Sequence, residues 1–117
     1  MIDEEKYVRE ADIDTSEPAE KLDGMEYVII RTYSAGVHAG YLASKDGTEV
    51  VLKQSRRIHY WDGAASLSEL AMKGTAKPDE CRVPCAVNEI TLWAIEIIPC
   101  TKKARQSITD IAEWTAQ

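Results

Sequence analysis

Val37-His38-Ala39-Gly40-Tyr41-Leu42-Ala43, then Ser44-Lys45-Asp46-Gly47, then Thr48-Glu49-Val50-Val51-Leu52-Lys53-Gln54-Ser55-Arg56-Arg57-Ile58: this stretch decides the fold. Two runs rich in β-branched and aromatic residues flank Lys45-Asp46-Gly47, and an Asp-Gly pair between such runs specifies a tight hairpin. Just upstream, Tyr27-Val28-Ile29-Ile30-Arg31-Thr32-Tyr33 has the same strand character, and Ser34-Ala35-Gly36 is a short connection. Three strands joined this closely form an antiparallel meander.

Downstream, Gly63 ends the meander and Ser66-Leu67-Ser68-Glu69 has the form of a capping box. The spacing of Leu67, Leu70 and Ala71 predicts a short helix over 66–73, closed by Gly74. Arg82 to Val87 reads as an edge strand interrupted by Pro84. Glu89 to Ile98 reads as a long apolar strand, and Thr101 as the cap of a second helix over 102–108. The expected fold class is α+β: an antiparallel sheet of about five strands with two short helices.

At 117 residues the chain suits one domain, and a hydrophobic share of 44% fits a packed core rather than disorder. Net charge is −6, but residues 1–26 hold ten acids against Lys6, Arg9 and Lys21, so that segment carries −7 and the remainder +1. The organisation expected is an acidic, flexible arm over 1–23 and a single ligand-binding α+β domain over 24–117. A near-neutral body lacks the extended basic face that duplex nucleic acid requires. It suits one small anion held by local cations. Cys81, Cys85 and Cys100 form no paired motif and are expected as free thiols in small apolar sites, with only His38 and His59 available to complete a zinc site. No metal and no cofactor are therefore expected. The N-terminus lacks a secretion signal and no segment matches a membrane span, so a cytoplasmic location is the expectation.

The chemistry concentrates where the meander ends. Arg56, Arg57, Tyr60 and Trp61 combine guanidinium groups, which grip phosphate with two prongs, with rings on which a base can stack. Alternation places Arg57 with His59 and Trp61 on one face, and Arg56 with Ile58 and Tyr60 on the other. Burying an arginine is costly unless it is paired, so at least one of the two should stand on an open surface. Arg31 lies one strand away, and with one of that pair it is expected to converge on a single anion. In the second basic group, Lys102 and Lys103 read as a solvated helix face and Arg105 as a phosphate donor. Neither histidine has a nearby Ser or Cys in a nucleophile motif, and no Gly-rich phosphate loop occurs.

Tyr27 to about Ile108 resembles a family of small phage and prophage proteins. The residues that carry the resemblance are Arg31-Thr32-Tyr33-Ser34-Ala35-Gly36-Val37, Ala39-Gly40-Tyr41-Leu42, Arg56-Arg57 with Tyr60-Trp61-x-Gly63-Ala64, Leu67-Ser68-x-Leu70-Ala71 and Ile97-Ile98-x-Cys100-Thr101. The size, element order and scattered arginines also look like the phage Thoeris anti-defence sponges, which sequester cyclic ADP-ribose signals without degrading them. That resemblance implies a homo-oligomer, as a dimer or hexamer, with pockets between subunits. It implies that Arg31, Arg57, Asn88 and Arg105 surround the ligand and that Tyr60 or Trp61 stacks on it.

The expected function is non-enzymatic sequestration of a cyclic nucleotide-type immune signal. Alternatives are a module binding single-stranded nucleic acid or a host protein, and a phosphodiesterase acting on the same signal.

Overall fold

The computed structural model describes residues 17–116. Its strands are β1 (Tyr27–Thr32), β2 (Val37–Asp46), β3 (Glu49–Arg57) and β4 (Val87–Pro99). Helix α1 (Leu67–Lys73) and a 3-10 turn (Pro78–Glu80) separate β3 from β4, and helix α2 (Lys102–Thr109) follows β4. The fold is α+β, with the expected meander at its centre: β1 pairs with β2 and β2 with β3, all antiparallel.

β4 adds what alternation alone does not show. Its first half pairs with β3, from Ser55↔Val87 to Glu49↔Trp93. Its second half pairs with β1, from Thr32↔Ala94 to Val28↔Pro99. One long strand thus spans the two edges of the meander and closes four strands into a barrel. The strand expected over 82–87 is absent, which leaves four strands rather than about five. Arg82 and Val83 make only single bridges, to Tyr60 and Glu113. Pro84 has no N–H to give a ladder, and the carbonyls of Val83 and Pro84 are taken by the Arg56 side chain.

The core has two layers. Val28, Ile30, Val50, Leu52, Leu92 and Ala94 fill the barrel. Tyr27, Ile29, Ala39 and Tyr41 turn the other way and pack beneath Leu70, Ala71, Ala104 and Ile108 of the helices. β1 lies between both layers, so Tyr27-Val28-Ile29-Ile30 is buried without a polar alternate. Each such aliphatic side chain contributes roughly 1.5–3 kcal/mol.

Both helix caps form as the sequence predicts. Ser66 Oγ accepts from the Glu69 amide, and Thr101 Oγ1 accepts from the Ala104 amide. Thr101 Oγ1 also donates to Met72 O at 2.8 Å, tying the start of α2 to the end of α1. The expected arm over 1–23 lies outside the described residues as far as 16. The rest of it is hydrogen-bonded to the body, Ala19 N to Cys100 O at 3.1 Å and Lys102 N to Glu17 O at 2.8 Å. Of the three free cysteines, Cys100 is buried and Cys81 half-buried, but Cys85 is exposed rather than in an apolar site.

A bulge in β3 sets the direction of the arginines. Tyr41 faces Lys53 while Ala39 faces Arg56, so β3 carries one residue more than β2 over this span. Gln54 absorbs it with φ +51°. Gly40 sits opposite, where an added Cβ would lie 3.0 Å from the Lys53 carbonyl oxygen and 3.0 Å from Ser55 Cα. The bulge reverses the alternation: Val50 and Leu52 point into the barrel, and beyond Gln54 it is Ser55 that does so. Arg56 is thereby turned toward the helices.

Candidate ligand-binding site

Arg56 is buried, and its guanidinium is bonded almost all round by main-chain carbonyls. Nε donates to Pro84 O at 3.0 Å, Nη2 to Val83 O at 2.8 Å, and Nη1 to both Ile108 O and Ile111 O at 2.9 Å. These bonds fasten the segment before β4 and the end of α2 to β3. Four of the five N–H donors are spent on structure.

Arg105, on α2, is the contrasting case. Its Nη1 makes one long contact, 3.4 Å to the Tyr41 hydroxyl. Its Nε is buried and has no partner among the described residues, and the same holds for the Tyr27 hydroxyl. Both residues line a cavity of about 300 Å3 whose wall also includes Tyr41, Gln54, Arg56, Ala86, Thr109, Ile111 and Glu113. Tyr27 and Tyr41 meet edge to face, with ring centroids 5.1 Å apart. Burial pushes the Tyr27 phenol well above its ordinary range, and the Arg56 and Arg105 charges offset that only in part. Tyr27 is therefore a neutral O–H donor at physiological pH. Buried donors left unpaired cost roughly 1–3 kcal/mol each.

Of the seven site residues expected from the sequence, this cavity gathers Arg56 and Arg105 and holds the other five elsewhere. Arg31 forms an exposed ion pair with Glu96 at 2.9 Å. Arg57 is exposed and donates to Ala35 O at 3.2 Å. The expected convergence of Arg31 with Arg56 or Arg57 does not occur. Ile30, His38 and Arg57 share one cross-strand row, so Arg31 projects from the opposite face to Arg57. Arg56 is on the Arg31 face but is committed to its four carbonyls. Asn88 is exposed on β4, and Trp61 packs against the core beneath the helices.

Tyr60 belongs to a different cavity, of about 570 Å3, with Asp79, Glu80, Cys81, Arg82 and Trp114. There the Arg82 guanidinium lies 5.7 Å from the Tyr60 ring centre and 5.8 Å from that of Trp114, which itself stacks on His59 at 4.9 Å. These rings are already occupied by protein partners. A third cleft, of about 270 Å3, opens at the barrel end between Tyr33 and Trp93.

His38 is buried, with Nε2 2.8 Å from Ala35 O. Burial lowers its pKa, the Arg57 charge adds to that, and the bond to Ala35 O opposes both. Among the described residues, no three His, Cys, Asp or Glu side chains gather as a metal site, and no helix is long and apolar enough to cross a membrane. Sequence reasoning missed Tyr27, Tyr41, Gln54 and Glu113. The two tyrosines share the parity of the helix-facing layer, which is a usable signal; nothing marks Gln54 in advance as the bulge.

Residues 25–108 match the family described as Domain of unknown function (DUF6948), and since that is more than half of the chain, the chain belongs to this family. No curated protein and no solved structure matches the chain.

Proposed function

We propose that this family member binds a small phosphorylated ligand at the Arg105 cavity and holds it without breaking it, and that the ligand is a cyclic nucleotide-type signal of the cyclic ADP-ribose kind. The observation that carries the reading is Arg105, a half-buried guanidinium with one long side-chain hydrogen bond among the described residues, on the wall of a cavity that it shares with Arg56 and the rings of Tyr27 and Tyr41. The identity of the ligand rests on the resemblance drawn from the sequence. Binding is favoured over turnover because the cavity wall carries neither His, Cys nor Ser, and Glu113 is its one carboxylate. At about 300 Å3 the cavity is at the small end for ligand sites, so it takes the anionic part of the molecule. Tyr33 is 85% exposed and Trp93 61% exposed, apolar surface that a second copy in a homo-oligomer would cover. The same surface favours, as the second reading, a module that binds a host protein.

Calorimetry with cyclic ADP-ribose isomers and cyclic dinucleotides tests the proposal. One of them is expected to bind saturably and to return intact after the protein is denatured. Arg105→Ala is expected to weaken that binding by about 1.5–3 kcal/mol. Absence of heat with every nucleotide moves the protein-binding reading to the front, and recovery of a cleaved product establishes a phosphodiesterase.

A further inference from the structure

We infer that the Arg105 cavity selects a singly charged oxyanion, such as a phosphodiester or one phosphate of a bridged pyrophosphate, over a phosphomonoester dianion. This rests on the reading of that cavity as the ligand site.

The argument is one of charge and donor supply. The ionisable side chains on the wall are Arg56, Arg105, Glu113 and the two phenols of Tyr27 and Tyr41. By formal charge, two guanidinium cations against one carboxylate leave a single net positive charge. Arg56 adds little further hydrogen bonding, since four main-chain carbonyls already hold its N–H groups. The end of α2 also reaches the wall through Thr109, and the C-terminal end of a helix carries partial negative charge. One negative charge on the ligand neutralises the site. A second would sit uncompensated in a half-closed space beside Glu113, which is costly. The donor supply fits the same class: Arg105 makes one long side-chain hydrogen bond among the described residues, so a single guanidinium is left to meet the ligand's acceptor oxygens.

Methyl phosphate and dimethyl phosphate separate the charge states with almost no change of shape. Dimethyl phosphate stays a monoanion, whereas methyl phosphate passes from monoanion to dianion around pH 6, the second phosphate pKa. No histidine, the side chain whose ordinary pKa falls in this range, lines the cavity. Titrations on the full-length protein, followed by the Arg105 Nε–H resonance, are expected to give one dissociation constant for dimethyl phosphate at both pH values. Methyl phosphate is expected to bind roughly tenfold or more weakly at pH 8 than at pH 6, as its monoanion is depleted. Glu113→Gln is expected to restore several-fold of the methyl phosphate affinity at pH 8. Tighter binding of the dianion at pH 8, or no response to Glu113→Gln, overturns the charge selection while leaving the site in place. If neither ester shifts the Arg105 resonance, the site assignment falls and the selection with it.

Discussion

Replacing Arg56 by methionine tests whether this guanidinium is a structural clamp. The side chain is buried and bonds to the carbonyls of Val83, Pro84, Ile108 and Ile111. Two of those carbonyls keep a partner in the variant: Val83 O accepts from the Trp114 amide at 3.1 Å, and Ile108 O from the Ile111 amide at 3.3 Å. Pro84 O and Ile111 O have no other partner among the described residues. Two orphaned carbonyls at about 1–3 kcal/mol each bracket the loss at about 2–6 kcal/mol, and the apolar methionine stem returns part of it. The expected net loss is about 3–4 kcal/mol, or roughly 12–16 °C in Tm for a domain of this size. Urea unfolding at constant pH measures it, with an unchanged slope against denaturant confirming that the unfolded state is unaltered. Arg56→Lys should fall between wild type and methionine, because one ammonium cannot span four carbonyls. Replacing a buried charge by a hydrophobe is neutral or stabilising in some proteins. A loss below about 1 kcal/mol would therefore refute the clamp, and would return Arg56 to the pool of free phosphate donors.

Two further outcomes follow from groups in the barrel. Ser55 Oγ is buried with no partner among the described residues, so Ser55→Ala is expected to leave stability unchanged or raise it by up to about 1 kcal/mol; a clear loss in urea midpoint shows an undetected partner. For His38 the sign is fixed by burial, which lowers the folded-state pKa below the ordinary value. The unfolded chain therefore takes up a proton first as pH falls below about 6.5, and stability drops by up to about 1.4 kcal/mol per pH unit until the folded ring protonates. Above pH 7 this contribution is complete. His38→Gln should flatten the pH profile relative to wild type between pH 7.5 and 5.5, and parallel profiles refute it.

The strands of the meander, the two helices and both caps are legible in the sequence because each is set by neighbouring residues: an Asp-Gly turn, β-branched runs, a Ser or Thr ahead of an amide. The closure through β4 is not, because which half of a long strand pairs with which neighbour depends on partners more than 30 residues away. Register also explains the site. Alternation sorts Arg56 from Arg57 correctly, and it gives one buried and one exposed arginine, as the cost of burial requires. It does not show that Gln54 shifts the count by one, nor that carbonyls of the 83–84 segment and the end of α2 would saturate Arg56. Arg105 stands out in the sequence as the phosphate-donor member of the second basic group, whereas its companions Tyr27 and Tyr41 look like ordinary core tyrosines.

A ring fastened by its last segment is vulnerable while it is being made. Until residues 87–99 have left the ribosome, β1 and β3 each present an unsatisfied flank, and the greasy lining of the cylinder faces water. Fragments ending before Val87 should therefore accumulate as insoluble material, and synthesis of the intact polypeptide passes through that exposed stage each time.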